Sequence, residues 1–113
     1  MKSEQQNAKK LVLDQVEKEL DALAKKNTPE LELNDIKKII KPLDVDEVTA
    51  TGGSTIRFFH KSLLGIKQYT GGYFTIHRVH GGGTKIRVRR NDYKKMLLPT
   101  LLLIIDNLRQ TLK

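Results

Sequence analysis

Three histidines, His60, His77 and His80, are the side chains in this chain best suited to proton transfer near neutral pH. All lie between Thr51 and Arg90, a stretch that also holds Arg57, Lys61, Lys67, Arg78, Lys85, Arg87, Arg89 and Arg90 and has no Asp or Glu. Imidazole beside unopposed guanidinium suits acid–base work on a phosphodiester or the holding of a polyanion. Metal chemistry fits poorly. His77 and His80 are three apart on an extended run and point to opposite faces, and no carboxylate or thiolate stands near them. The chain has no cysteine, which removes disulfides and cysteine nucleophiles. No metal and no cofactor are expected. A Ser54 nucleophile would need an orienting acid, and after Glu47 only Asp92 and Asp106 remain. The glycine pairs do not open a helix and are not followed by Lys-Ser or Lys-Thr, so they read as hairpin turns and not as a nucleotide loop.

The formal charge of +8 is unevenly placed. Residues 1–50 carry nine Lys against eleven Asp and Glu. Residues 51–113 carry six Lys and six Arg against two Asp, so every arginine is in the second half. Arginine is the residue suited to forked phosphate contacts and to stacking on bases.

The elements that position these groups follow from periodicity. Residues 4–26 read as a helix with a narrow stripe of Leu11 or Val12, Val16, Leu20 and Leu23 or Ala24, fit for packing or for dimerisation. Pro29 closes it. A second helix runs from Leu33 to Lys41, capped by Asn34 or Asp35 and stopped by Pro42. A short strand is expected at 46–51, turned by Gly52-Gly53 into Ser54–His60. Further strands are expected at 73–80 and 84–90, the last two joined by Gly81-Gly82-Gly83. Parity across these runs puts Ile56, Phe58, Phe74, Ile76, Ile86 and Val88 on one face. Arg57, Phe59, Thr75, His77, Lys85, Arg87 and Arg89 fall on the other. Asn91-Asp92 then caps a strongly apolar helix that runs to Leu112, with either a kink at Pro99 or a short first turn followed by a restart. The apolar run Met96–Ile105 is about half a membrane span. The expectation is an α+β fold: helix, three- or four-stranded antiparallel sheet, helix, with an extra N-terminal helix and the helices on one sheet face. Residues 1–30 form the N-terminal helical extension and 31–113 the α+β domain. The polar opening Met1–Gln6 and the missing span point to a cytoplasmic protein without a membrane partner.

From Asn34 onward the chain resembles the HicA family of small toxins, which have a double-stranded-RNA-binding-domain-like fold and cleave messenger RNA. The likeness rests on the helix Asp35-Ile36-Lys37-Lys38-Ile39-Ile40, on Gly53-Ser54 at the turn, on Phe58-Phe59-His60 in the following strand, and on Thr75-Ile76 followed by a histidine. It covers roughly residues 34–80. It implies an RNA-binding protein of toxin–antitoxin type, with an acidic antitoxin-like protein as a further partner. It also places Thr55 where the family has its catalytic histidine, and a threonine hydroxyl is no general base near neutral pH. Ribonuclease activity is therefore left open, with His60, His77 and His80 as candidate catalytic groups. RNA or another nucleic acid is expected on Arg57, Phe59, His77, Lys85, Arg87, Arg89 and Arg90. The alternative is a protein-interaction module that docks an acidic partner through the same basic face and forms a homodimer through its first helix.

Overall fold

A computed structural model describes residues 2–49, 54–79 and 85–112. His80, the Gly52-Gly53 turn and the Gly81-Gly82-Gly83 turn lie outside the described residues. The fold is α+β, with helices against antiparallel sheets and an apolar helix near the end.

The first helix, α1, spans Lys2–Ala24. Its packed stripe is Leu13, Val16, Leu20, Leu23 and Ala24, all at most 9% exposed. These positions follow the helical repeat. The stripe thus opens at Leu13, whereas Leu11 and Val12 stay 68% and 45% exposed. α1 joins the same core as the rest of the chain. Arg109, from the last helix, ties it down through Glu17 at 2.7 Å and Asp14 at 2.5 Å.

After Pro29 comes a strand absent from the sequence reading, β1 (Glu30–Glu32), which leads directly into α2 (Leu33–Ile40). The next strands are β2 (Asp46–Thr49), β3 (Thr55–Phe59) and β4 (Tyr73–His77), in the order β2-β3-β4 with antiparallel neighbours. The basic run near residue 88 does not extend this sheet. It forms β5 (Arg87–Arg89), which pairs with β1 in a separate two-stranded ladder. Among the described residues a single backbone bond, from Val79 N–H to the Arg87 carbonyl at 2.9 Å, links β5 to the end of the β4 segment.

The two short strands also start two helices. Neither α2 nor the helix that begins at Arg90 has a side-chain cap bond, so Asn34, Asp35, Asn91 and Asp92 do not play that part. Instead the β1–β5 ladder continues into both helix starts. Leu33 N–H donates to the Ile86 carbonyl and Arg90 N–H to the Pro29 carbonyl, each at 2.9 Å. Amides that a helix leaves orphaned are taken up by the ladder.

The last helix has three parts: α3 (Arg90–Asp92), a π turn (Tyr93–Leu97) and α4 (Leu98–Thr111). Pro99 lacks an N–H for the helical ladder. The helix thus begins with a short turn and starts again at Leu98, with a π turn between and Pro99 in the first turn of α4, which is the second of the two expected forms. Leu97, Leu101, Ile104 and Ile105 are fully buried and meet Ile36 and Leu43 below the inner face of the sheet, where Ile56, Phe58 and Ile76 are fully buried too. Phe58 and Phe74 stack there at 5.3 Å. No described helix is long and apolar enough to cross a membrane.

Candidate nucleic-acid interface

The outer face of the β2–β3–β4 sheet is set by register. Thr55 stands opposite His77, Arg57 opposite Thr75 and Phe59 opposite Tyr73, so these six share one side. Val48 and Asp46 continue it on β2, across from Arg57 and Phe59. The helices pack on the other side and leave this one open. Arg57 and His77 are exposed, and Val48 is 52% exposed.

Its centre is aromatic. The Phe59 and Tyr73 rings lie 5.1 Å apart, tilted by 40°. The Arg57 guanidinium sits 5.5 Å from the Tyr73 ring centre, within cation–π reach. Arg57 has no carboxylate within salt-bridge distance among the described residues. Lys61 borders Phe59 in a depression that also includes Asp46 and Leu64. The approach to Tyr73 is shaped by Gly71 and Gly72, with φ of +88° and +77°. A Cβ on Gly71 would stand 3.0 Å from the Tyr73 ring, and one on Gly72 2.8 Å from Leu64, so both positions are held to glycine by backbone and by contact.

The seven residues expected to contact nucleic acid do not come together. Arg57, Phe59 and His77 share the outer face just described. Lys85, Arg87 and Arg89 belong to the segment that pairs with β1, and there the acid-free run meets acids from elsewhere in the chain. Arg87 lies 3.4 Å from Glu30 and Lys85 3.3 Å from Glu32, while Arg89 stands across the ladder from Glu30. Arg90 donates to the Lys26 carbonyl at 2.5 Å. Tyr73 is the residue the sequence reading missed. The parity that turns Phe74 and Ile76 inward also turns Tyr73 outward, so the signal was present one residue earlier in the strand.

The histidines divide as well. His60 is only 4% exposed. The Ser62 amide donates to its Nδ1 at 3.1 Å, which makes Nδ1 an acceptor, and Nε2–H donates to the Leu43 carbonyl at 2.8 Å. The Ser62 hydroxyl also reaches Nδ1 at 2.8 Å and itself accepts from Asn107 at 3.2 Å. With both nitrogens committed, His60 pins the end of β3 to the turn after α2 and to α4. His77 is exposed on the outer face, directly across from Thr55. Among the described residues no cluster of three or more His, Asp or Glu has the arrangement to hold a metal. No protein-family model, no curated protein and no solved structure matches this chain.

Proposed function

We propose that this chain binds RNA, and that it takes a single strand on the outer face of the β2–β3–β4 sheet. The observation that supports this reading is the half-buried aromatic pair Phe59–Tyr73 on the open face, with Arg57 against it. An open antiparallel sheet that presents neighbouring rings gives unpaired bases a surface to stack on, and a guanidinium beside it can take a phosphate or a further base. Arg57 and Lys61 would hold the backbone, and His77, Thr55 and Thr75 would supply hydrogen bonds along the track. The resemblance to the HicA toxins over residues 34–80 favours RNA over DNA. It does not carry catalysis across, because Thr55 occupies the position of the family's histidine and His60 is fully engaged in structure. Among the described residues His77 is the imidazole on this face, and it is the first group there to substitute in a cleavage assay.

Fluorescence anisotropy with labelled single-stranded RNA, double-stranded RNA and double-stranded DNA tests the reading. Single-stranded RNA is expected to bind best. Phe59→Ala and Tyr73→Ala should each weaken it by roughly tenfold, in line with about 1–3 kcal/mol per stacked base. The two or three phosphate contacts available predict a log–log salt slope of roughly −1 to −2. A folded Phe59→Ala/Tyr73→Ala double variant with unchanged affinity would refute the stacking surface.

A further inference from the structure

β4 is the last strand of its sheet, and its outer edge is only partly used. The bonds from His60 N–H to the Gly72 carbonyl (3.0 Å) and from Arg78 N–H to the Ser54 carbonyl (2.9 Å) set the parity of the β3–β4 ladder. In that parity Phe74 and Ile76 bond to β3, and the backbone groups of Tyr73 and Thr75 point away from it. Further along the same edge, Val79 donates to Arg87, so β5 occupies that end. At Tyr73 and Thr75 no backbone partner is present among the described residues.

Beside this open edge lies a cleft of about 540 Å³. Tyr73, Phe74 and Thr75 form its strand side, and Lys95, Met96 and Pro99 its helix side. The lining contains Lys95 and no carboxylate, and Met96 is 46% exposed. Proteins usually blunt a free edge with charge, proline or a covering element. The segment Tyr73-Phe74-Thr75-Ile76-His77 has no Lys, Asp, Glu or Pro. The π turn and Pro99 stand across the cleft instead of covering the edge. The cleft between them and β4 is lined by Lys95 and by no acid that would repel a carboxylate.

We propose that the cleft receives an extended segment of an acidic partner protein, which adds to β4 as a further strand. Its backbone would pair with Tyr73 and Thr75, an apolar side chain would rest on Phe74 and Met96, and a carboxylate would meet Lys95. Main-chain bonds supply affinity in this mode, and alternate side chains supply selectivity. A segment of four residues spans about 13 Å, enough to cover both open positions.

The test uses the full chain, labelled with nitrogen-15, and a blocked eight-residue peptide of alternating glutamate and valine. Saturable binding should slow amide exchange at Tyr73 and Thr75 by at least tenfold and leave Phe74 and Ile76, already bonded to β3, unchanged. A peptide of alternating lysine and valine should not bind. Lys95→Glu should weaken the acidic peptide by tenfold or more. Thr75→Pro should abolish binding, with persistent protection of Phe74 and Ile76 as the sign that the sheet is intact, since an edge position admits proline. The proposal is overturned by no saturable binding of the acidic peptide up to about millimolar concentration. It is equally overturned if protection appears only elsewhere, or if single-stranded RNA and not the peptide protects Tyr73 and Thr75.

Discussion

His60 and Tyr93 show how single polar groups are used to set the core. His60 is buried, and it joins three separate segments through Leu43, Ser62 and Asn107. Removing it leaves the Leu43 carbonyl without its donor in a buried place. His60→Ala should therefore cost about 2 kcal/mol in urea denaturation, and leave the proposed RNA affinity of the folded fraction unchanged. Tyr93 is fully buried and donates to the Leu20 carbonyl at 2.5 Å. Burial, and then the charge of Asp21, push its hydroxyl well above the ordinary value of 10. The unfolded chain ionises this group near pH 10 and the folded chain does not, so its contribution is complete below that pH and is lost as pH rises above it. Wild type should lose up to about 1.4 kcal/mol per pH unit there from this residue. Tyr93→Phe should be about 1 kcal/mol less stable near pH 8, through the missing hydrogen bond, and the gap should close or reverse near pH 11. Denaturation curves at the two pH values decide it.

At the scale of elements, the β1–β5 pair replaces conventional helix caps. Arg90 tests this in isolation. It is the first residue of α3, a position where proline is welcome in an ordinary helix, and Arg89 before it is already extended with φ −65° and ψ 136°. Arg90→Ala removes only the side-chain bond to Lys26, whereas Arg90→Pro also removes the amide that Pro29 accepts. The proline variant should be less stable than the alanine variant by about 1 kcal/mol, read by thermal or chemical denaturation. Equal stability would mean that the ladder bond contributes nothing. This pair also marks where sequence reasoning stopped. The inner face of the sheet and the apolar last helix were legible because Ile56, Phe58, Ile76, Leu101 and Ile105 repeat at the periods of their elements. β1 is three residues long, too short to display a period of two, and its partner lies far along the chain. Pro29 reads as a helix stop, yet α1 already ends at Ala24, and a stop gives no hint that a strand follows at once.

Over the whole molecule, charge that is segregated in sequence becomes partly paired in space. The stretch from Thr51 to Arg90 has no acid of its own, and a count along the chain overstates its positive face. Glu30 and Glu32 arrive from the acidic half to meet Arg87 and Lys85. These are half-exposed pairs and add little stability. Their larger effect is on what the surface attracts. Glu30→Gln with Glu32→Gln should leave the fold unchanged, raise affinity for any polyanion, double-stranded DNA included, and steepen the salt slope by about one or two contacts. Anisotropy titrations with RNA and DNA at several salt concentrations read both effects. If these acids serve to keep unspecific nucleic acid off β5, the gain for DNA should exceed the gain for single-stranded RNA. A uniform gain for every ligand would show β5 to be part of the RNA surface itself.

The pairing of β1 with β5 also bears on how the protein is made. Glu30 and Arg87, which meet in space, are 57 residues apart in sequence. During synthesis, α1, β1 and α2 leave the ribosome long before β5 exists, and for that time α2 lacks the carbonyl of Ile86 that completes its first turn. A nascent chain that ends short of residue 87 has no route to the native ladder. Its apolar α1 stripe stays uncovered as well, because Leu101, Ile104 and Ile105 come later still. The native packing of the early half of this protein is thus completed only after the last helix has been translated.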